Sequence, residues 1–137
     1  LYAVGAAVED SVVAASERDR RTYGIVEDYV GHGIGSEMHM DPPVANYGRP
    51  GRGPVLAEGM ALAIEPLLVL GSANTRLLDD GWTVVSEDGG WSAHFEHTVA
   101  ITPDGPWVLT ALTGTPAGVL APAGAVRAPA MHPHPAG

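Results

Sequence analysis

Cysteine is absent from the 137-residue sequence, which excludes both a disulfide framework and a thiolate metal site. Any metal held by this chain must be bound through His, Asp or Glu. Basic residues are scarce: Lys and Arg total 7 against 16 Asp and Glu, for a net charge of −9 with histidines neutral. Neutralising phosphates requires clustered Lys and Arg, so this balance argues against a nucleic-acid-binding surface. The one basic cluster, Arg18 to Arg21, is interrupted by Asp19 and suits a helix end. No apolar run approaches the ~20 residues of a membrane span. The longest, Met60 to Leu70, is broken by Glu65 and Pro66. The sequence opens Leu1-Tyr2-Ala3 and not with methionine, so a natural N-terminus further upstream is expected. What is present is a globular composition, 45% hydrophobic and 17% charged, sufficient for one domain with a core.

Hydrophobic periodicity divides the chain into elements. Val4, Ala7, Val8, Val12 and Ala15 recur near the helical period while Glu9, Asp10 and Glu17 take other positions, so Leu1 to about Arg18 reads as the end of a helix. The basic residues that follow complement its C-terminus. Gly24 to Val30 reads as a strand. It runs into Gly31-His32-Gly33-Ile34-Gly35, which looks too rich in glycine for a regular element. Pro42, Pro43, Gly48, Pro50, Gly51, Gly53 and Pro54 predict an irregular loop. Met60 to Glu65 is a strand stopped by Pro66, followed by a loop with Gly71, Ser72 and Asn74. Trp82–Val85 and Ser92–Thr102 read as a hairpin turning through Glu87-Asp88-Gly89-Gly90, and Trp107 to Leu112 as a short final strand. From Gly114 the composition shifts to Ala, Pro and Gly. The expected organisation is therefore a folded unit over 1–113 and a disordered tail over 114–137, with no internal repeat.

Two glutamates stand out within apolar strands. Alternation places Met60, Leu62 and Ile64 on one face and Ala61, Ala63 and Glu65 on the other. Taken alone, Glu65 fits a water-exposed strand end as well as a site, but burial would require a cation or a partner. Glu96 repeats the pattern, sharing a face with His94 and Thr98 while Phe95, His97 and Val99 face the other way; a cross-strand salt bridge is the simpler reading of it alone. Two carboxylates aimed at one cavity repel unless a metal or a proton lies between them. His32 sits between two glycines, whose missing side chains let backbone approach a ligand closely, and His39 follows seven residues later. Two loop histidines followed by two strand glutamates outline a nitrogen-and-oxygen metal site, suited to Mn, Fe, Co or Zn better than to Mg or Ca. His132 and His134 lie in the Pro-rich tail and are left aside, as are the turn residues Asp79-Asp80-Gly81 and Asp88-Gly89. Gly31-x-Gly33-x-Gly35 lacks a following helix pattern, which rules out a dinucleotide fingerprint.

Three strings in this order carry a family resemblance. They are Gly31-His32-Gly33-Ile34-Gly35 with His39, then Glu58-Gly59-Met60-Ala61-Leu62-Ala63-Ile64-Glu65-Pro66, then Ser92-Ala93-His94-Phe95-Glu96-His97-Thr98. Together they resemble the type I methionine aminopeptidase branch of the pita-bread metallopeptidases, over roughly Leu1 to Leu112. The resemblance implies an α/β (α+β) fold, here the C-terminal half of the pita-bread architecture, with a mainly antiparallel curved sheet and a flanking helix. It implies two divalent ions (Co, Mn, Fe or Zn), with His32 and Glu65 ligating one and Glu96 bridging both. His39 would contact the scissile amide as a catalytic and substrate-binding residue, and Glu65 would also move the proton. Met38 and Trp82 would line the methionine side-chain pocket; the first position is often aromatic in the family, so Met38 is a departure that a flexible thioether can accommodate.

A second departure is that the family's two strand aspartates and an upstream histidine have no counterpart before His32, which leaves three of the five metal ligands. The resemblance thus implies a cytoplasmic aminopeptidase, monomeric when complete, that removes the N-terminal Met of nascent polypeptides before a small residue. It also implies that this chain alone is inactive. No nucleic acid or membrane partner is expected. The alternatives are a Xaa-Pro peptidase of the same fold, which should carry an arginine-containing segment before the last glutamate, a non-catalytic pita-bread binding scaffold, and a stand-alone mononuclear metal module.

Overall fold

A computed structural model describes residues 1–51 and 53–111. The expectations for the 114–137 tail, for Leu112 and for His132 and His134 fall outside those residues. The chain opens with helix α1, Tyr2–Asp19, which spans the periodic stretch. It ends where Arg20 adopts a left-handed conformation, its N–H and that of Arg21 closing on the Glu17 and Ser16 carbonyls, as helix C-termini commonly do. Among the described residues no helix is long and apolar enough to cross a membrane.

Ten strands follow: β1 Tyr23–Ile25, β2 Gly31–Gly33, β3 Met40–Val44, β4 Ala61–Ile64, β5 Leu67–Leu70, β6 Thr75–Leu77, β7 Val84–Ser86, β8 Ser92–His94, β9 His97–Thr102 and β10 Gly105–Val108. All described pairings are antiparallel. One sheet has the order β10-β9-β4-β2-β3, a second β1-β5-β8, and β6-β7 forms a separate two-stranded arm. This helix with antiparallel sheets is the expected α+β class.

Several local expectations are corrected. The first strand ends at Ile25, because Glu27 and Asp28 form a turn. The glycine-rich segment is not irregular: β2 is an interior strand between β4 and β3. Its glycines are what permit this. A Cβ on Gly31 would strike the Ala63 carbonyl, and one on Gly33 the Asp41 carbonyl, so neighbouring backbones close in on β2 where other residues would hold them off. Pro42 and Pro43 do not exclude a strand either. They lie in β3, at the edge of its sheet and beside a register irregularity in its pairing with β2, the places where a residue without an N–H is tolerated in a sheet. The proposed 82–102 hairpin is wrong in its pairing: β7 pairs with β6, while β8 pairs with β5. The Asp88-Gly89 turn, with Gly89 at φ 72°, connects two strands that belong to different sheets.

Pro66 does not stop the strand before it so much as divide it. The chain passes from β4 in one sheet to β5 in the other across Glu65-Pro66, and returns from β8 to β9 across Phe95-Glu96. The pairing register carries through the break. Ile64 opposes His97 on one side and Leu67 opposes His94 on the other, so Glu65 falls opposite Glu96 and Pro66 opposite Phe95. The Phe95 N–H donates to the Pro66 carbonyl at 3.4 Å. Leu62, Ala63 and Val69 are fully buried along this ladder. The two faces differ as alternation requires. Ile64, Pro66 and Leu68 turn towards α1 and help line an open apolar groove of about 870 Å³ with Val4, Val8 and Tyr23.

Candidate metal centre

The apolar groove lies on the helix side, and the ionisable cluster is on the other face of the same strands. Glu65 stands at its centre, with its side chain 20% exposed. One carboxylate oxygen, Oε1, lies 3.1 Å from His32 Nε2, and the other, Oε2, lies 3.2 Å from His94 Nε2. Glu65, His94 and Glu96 each offer a donor atom within 4.8 Å of the others. Glu96 is more exposed than Glu65.

Each position follows from backbone. His32 is the middle residue of β2 and pairs with Ala63, so it projects beside the strand end from which Glu65 emerges. Its Nδ1 is 2.9 Å from the Gly33 carbonyl. A carbonyl only accepts, so Nδ1 carries the proton in this contact and Nε2 is free to face Glu65. That arrangement suits a ligand: two lone-pair donors 3.1 Å apart match two groups sharing one ion at about 2.0–2.2 Å from each. The opposed carboxylates point the same way. Like charges directly across two strands are unfavourable, and among the described residues neither glutamate is paired with Arg. The donor set of imidazole nitrogen and carboxylate oxygen fits Mn, Fe, Co or Zn chemistry.

The remaining expected residues are distributed unevenly. His39 is exposed and its ring lies against that of His32, centroids 4.4 Å apart and tilted by 55°; the two histidines share one side of the site. Met38 is 68% exposed. Trp82 is 87% exposed, on a turn whose backbone N–H groups at Trp82 and Thr83 donate to Asp80 Oδ1 at 2.9 and 2.8 Å. The Thr83 hydroxyl, which donates to Asp80 Oδ2 at 2.6 Å, and then these backbone bonds hold the Asp80 carboxyl below its ordinary value. His94 is the residue whose closeness to Glu65 the sequence reading does not anticipate. The available signal was its position two residues before Glu96 on the same strand face.

A His and carboxylate cluster of this kind is the donor set of a candidate metal site, and the sequence profile of metallopeptidase family M24 matches residues 2–103. The chain belongs to that family. It is 57% identical over 110 residues to methionine aminopeptidase 1 of Mycobacterium tuberculosis, covering 80% of this chain and 41% of that protein. It is 60% identical over 88 residues to methionine aminopeptidase of Clostridium perfringens, covering 64% and 35% respectively. The crystal structure of methionine aminopeptidase from Thermotoga maritima superposes with a TM-score of 0.68 at 45% identity, over 75% of this chain and 39% of that one. The chain thus spans about two fifths of the length of these relatives. The pita-bread fold expected from the three strings is the fold of these neighbours, and the family uses divalent metals.

Proposed function

We propose that the protein carrying this chain is a two-metal aminopeptidase that hydrolyses the N-terminal methionine from nascent polypeptides whose second residue is small, acting in the cytoplasm as a monomer. The observation that carries this reading is Glu65 set opposite Glu96 in register with His32 against Glu65, in a chain of the M24 family. His32 and Glu65 would hold one divalent ion and Glu96 would be shared between that ion and a second; the ions would be Co, Mn, Fe or Zn. Bound there, they supply Lewis acidity and an acidified water.

The chain's own groups do the rest. Glu65 accepts the proton of the attacking water at a carboxylate oxygen and passes it to the leaving amine. His39 donates a hydrogen bond to the scissile amide that strengthens as negative charge develops, a contribution worth about 10²–10³-fold. Met38 and Trp82 form apolar walls for the methionine side chain, whose flexible thioether suits such a pocket. Neither the alternative peptidase nor the non-catalytic scaffold gains support: the segment before Glu96 is Ser-Ala-His-Phe, without the arginine expected of a Xaa-Pro peptidase. A dead scaffold would have lost ligands that are present here.

The test separates ligand from catalyst in the purified complete protein, of which this chain is expected to be an inactive part. Glu96→Ala should remove at least one equivalent of bound metal and lower Met release from a Met-Ala-Ser peptide by about 10³-fold, the size expected when several kcal/mol of charge stabilisation is lost. His39→Ala should retain the metal and lose rate chiefly in kcat. Equal metal loss in the two variants would show that His39 is misassigned, and efficient release of the first residue from Xaa-Pro dipeptides would favour the other peptidase.

A further inference from the structure

The His32–Glu65–Glu96 reading gives His94 no part, yet His94 is better placed around the carboxylate pair than its sequence position suggests. It opposes Leu67 in the ladder, one step beyond Pro66 and Phe95, and shares the strand face that carries Glu96. Its Nε2 is 3.2 Å from Glu65 Oε2, while His32 Nε2 is 3.1 Å from Oε1. The two imidazoles therefore address opposite oxygens of one carboxylate. Of the described residues, the trio whose donor atoms converge within 4.8 Å is Glu65, His94 and Glu96. His32 meets this trio through Glu65.

We propose that His94 is a metal ligand, giving nitrogen to an ion held at Glu65 and Glu96. This rests on the metal reading above and adds a ligand to it. One feature favours ligation over a purely orienting hydrogen bond: the Glu65–Glu96 pair lies opposite in register without an arginine partner among the described residues, and a divalent ion compensates two carboxylates where a single imidazole proton compensates one. An added nitrogen would bias the site towards Zn, Co and Fe and away from Mg, a harder ion that prefers oxygen.

The experiment uses the purified protein with 15N-labelled histidine, stripped by a chelator and saturated with 113Cd. A nitrogen bound to cadmium shows a one-bond splitting in its imidazole resonance. Two split imidazoles are expected, one lost in His94→Gln and the other in His32→Gln. Zinc affinity, measured by competition with a chromophoric chelator, should fall about 10-fold or more in His94→Gln, at least the loss that removing an outer partner brings. Glutamine can still donate a hydrogen bond to Glu65, so a merely orienting role would be preserved in that variant. A single split imidazole, lost in His32→Gln and kept in His94→Gln, overturns the proposal and leaves the Glu65–Glu96 site standing. If His94→Gln does not fold, the number of split resonances in the unmodified protein decides alone. No uptake of cadmium or zinc, or uptake insensitive to Glu65→Ala and Glu96→Ala, would take down the metal reading and this ligand with it.

Discussion

The strands around Glu65 and the arm formed by β6 and β7 are built on opposite terms. Around Glu65, backbone is pressed against backbone: β2 lies between β3 and β4, and its glycines leave no room for a side chain. Leu62 and Ala63 beside it are fully buried. The arm over residues 75–86 has two strands, exposed side chains such as Leu77, and a turn tied by Asp80 to its own backbone. The groups proposed as metal ligands stand on the first region, and Trp82, proposed as a pocket wall, on the second. Ligands must be held within fractions of an ångström, which a packed ladder provides. A pocket wall for a flexible apolar side chain tolerates more freedom, and a surface arm can supply it.

Gly31→Ala should be the most damaging change that alters no ionisable group. Its methyl would meet the Ala63 carbonyl, a backbone atom that cannot swing aside, and the expected loss is about 3 kcal/mol or more. Denaturant unfolding would measure it, and metal retention should fall with it because His32 is the next residue. A stability near that of the unmodified protein would show that the centre is less tightly built than the arm contrast requires. Trp82→Ala should behave in the reverse manner. At 87% exposure its removal should leave stability within about 0.5 kcal/mol, while KM for a Met-Ala-Ser peptide rises about 10-fold or more with kcat little changed. A large drop in thermal stability instead would place Trp82 in a structural role.

The smallest effect is expected at Asp88. Its carboxylate accepts from the N–H groups of Gly90 and Ser72, at 2.8 and 3.0 Å, joining the end of β5 to the turn before β8. The Gly90 and Ser72 amides hold this carboxyl below its ordinary value of 3.8. A depressed value in the folded state means the stabilisation is complete above the ordinary carboxylate range and is lost as pH falls through the depressed value. Asp88→Asn should therefore lower Tm slightly at neutral pH, with the two proteins converging in acid. A Tm difference that persists unchanged to low pH would assign the effect to packing.

Glu65 and Glu96 were legible because alternation within a strand is a local property, and a charged residue on an otherwise apolar strand interrupts it visibly. That they face each other was not legible. It depends on β5 pairing with β8 and β4 with β9, partners separated by the whole 71–91 segment, and the sequence offered a nearer and incorrect hairpin through Asp88-Gly89. The Gly31–Gly35 stretch was misread for a related reason. Glycine density signals a loop when only the chain's own preferences count, but strands on either side can demand the same residues. Pro42 and Pro43 likewise predict a loop, since nothing local reveals that β3 sits at an edge. His94 was placed on its correct face, and its closeness to Glu65 appeared only with the ladder.

That ladder has a consequence for how the chain can change length. Hydrogen bonds run from the Ile101 N–H on the Met60 carbonyl to the Leu70 N–H on the Trp91 carbonyl, without a slip across the point where the strands change sheets. One residue inserted anywhere between 61 and 69, or between 92 and 100, would move a carboxylate out of line with its counterpart or turn it to the helix side. Residues 71–90 lie beyond the last rung. Segments can be lengthened, shortened or exchanged there while Glu65 and Glu96 stay aligned, so new surface loops can be grafted at the tip of this long ribbon without disturbing the pair at its middle.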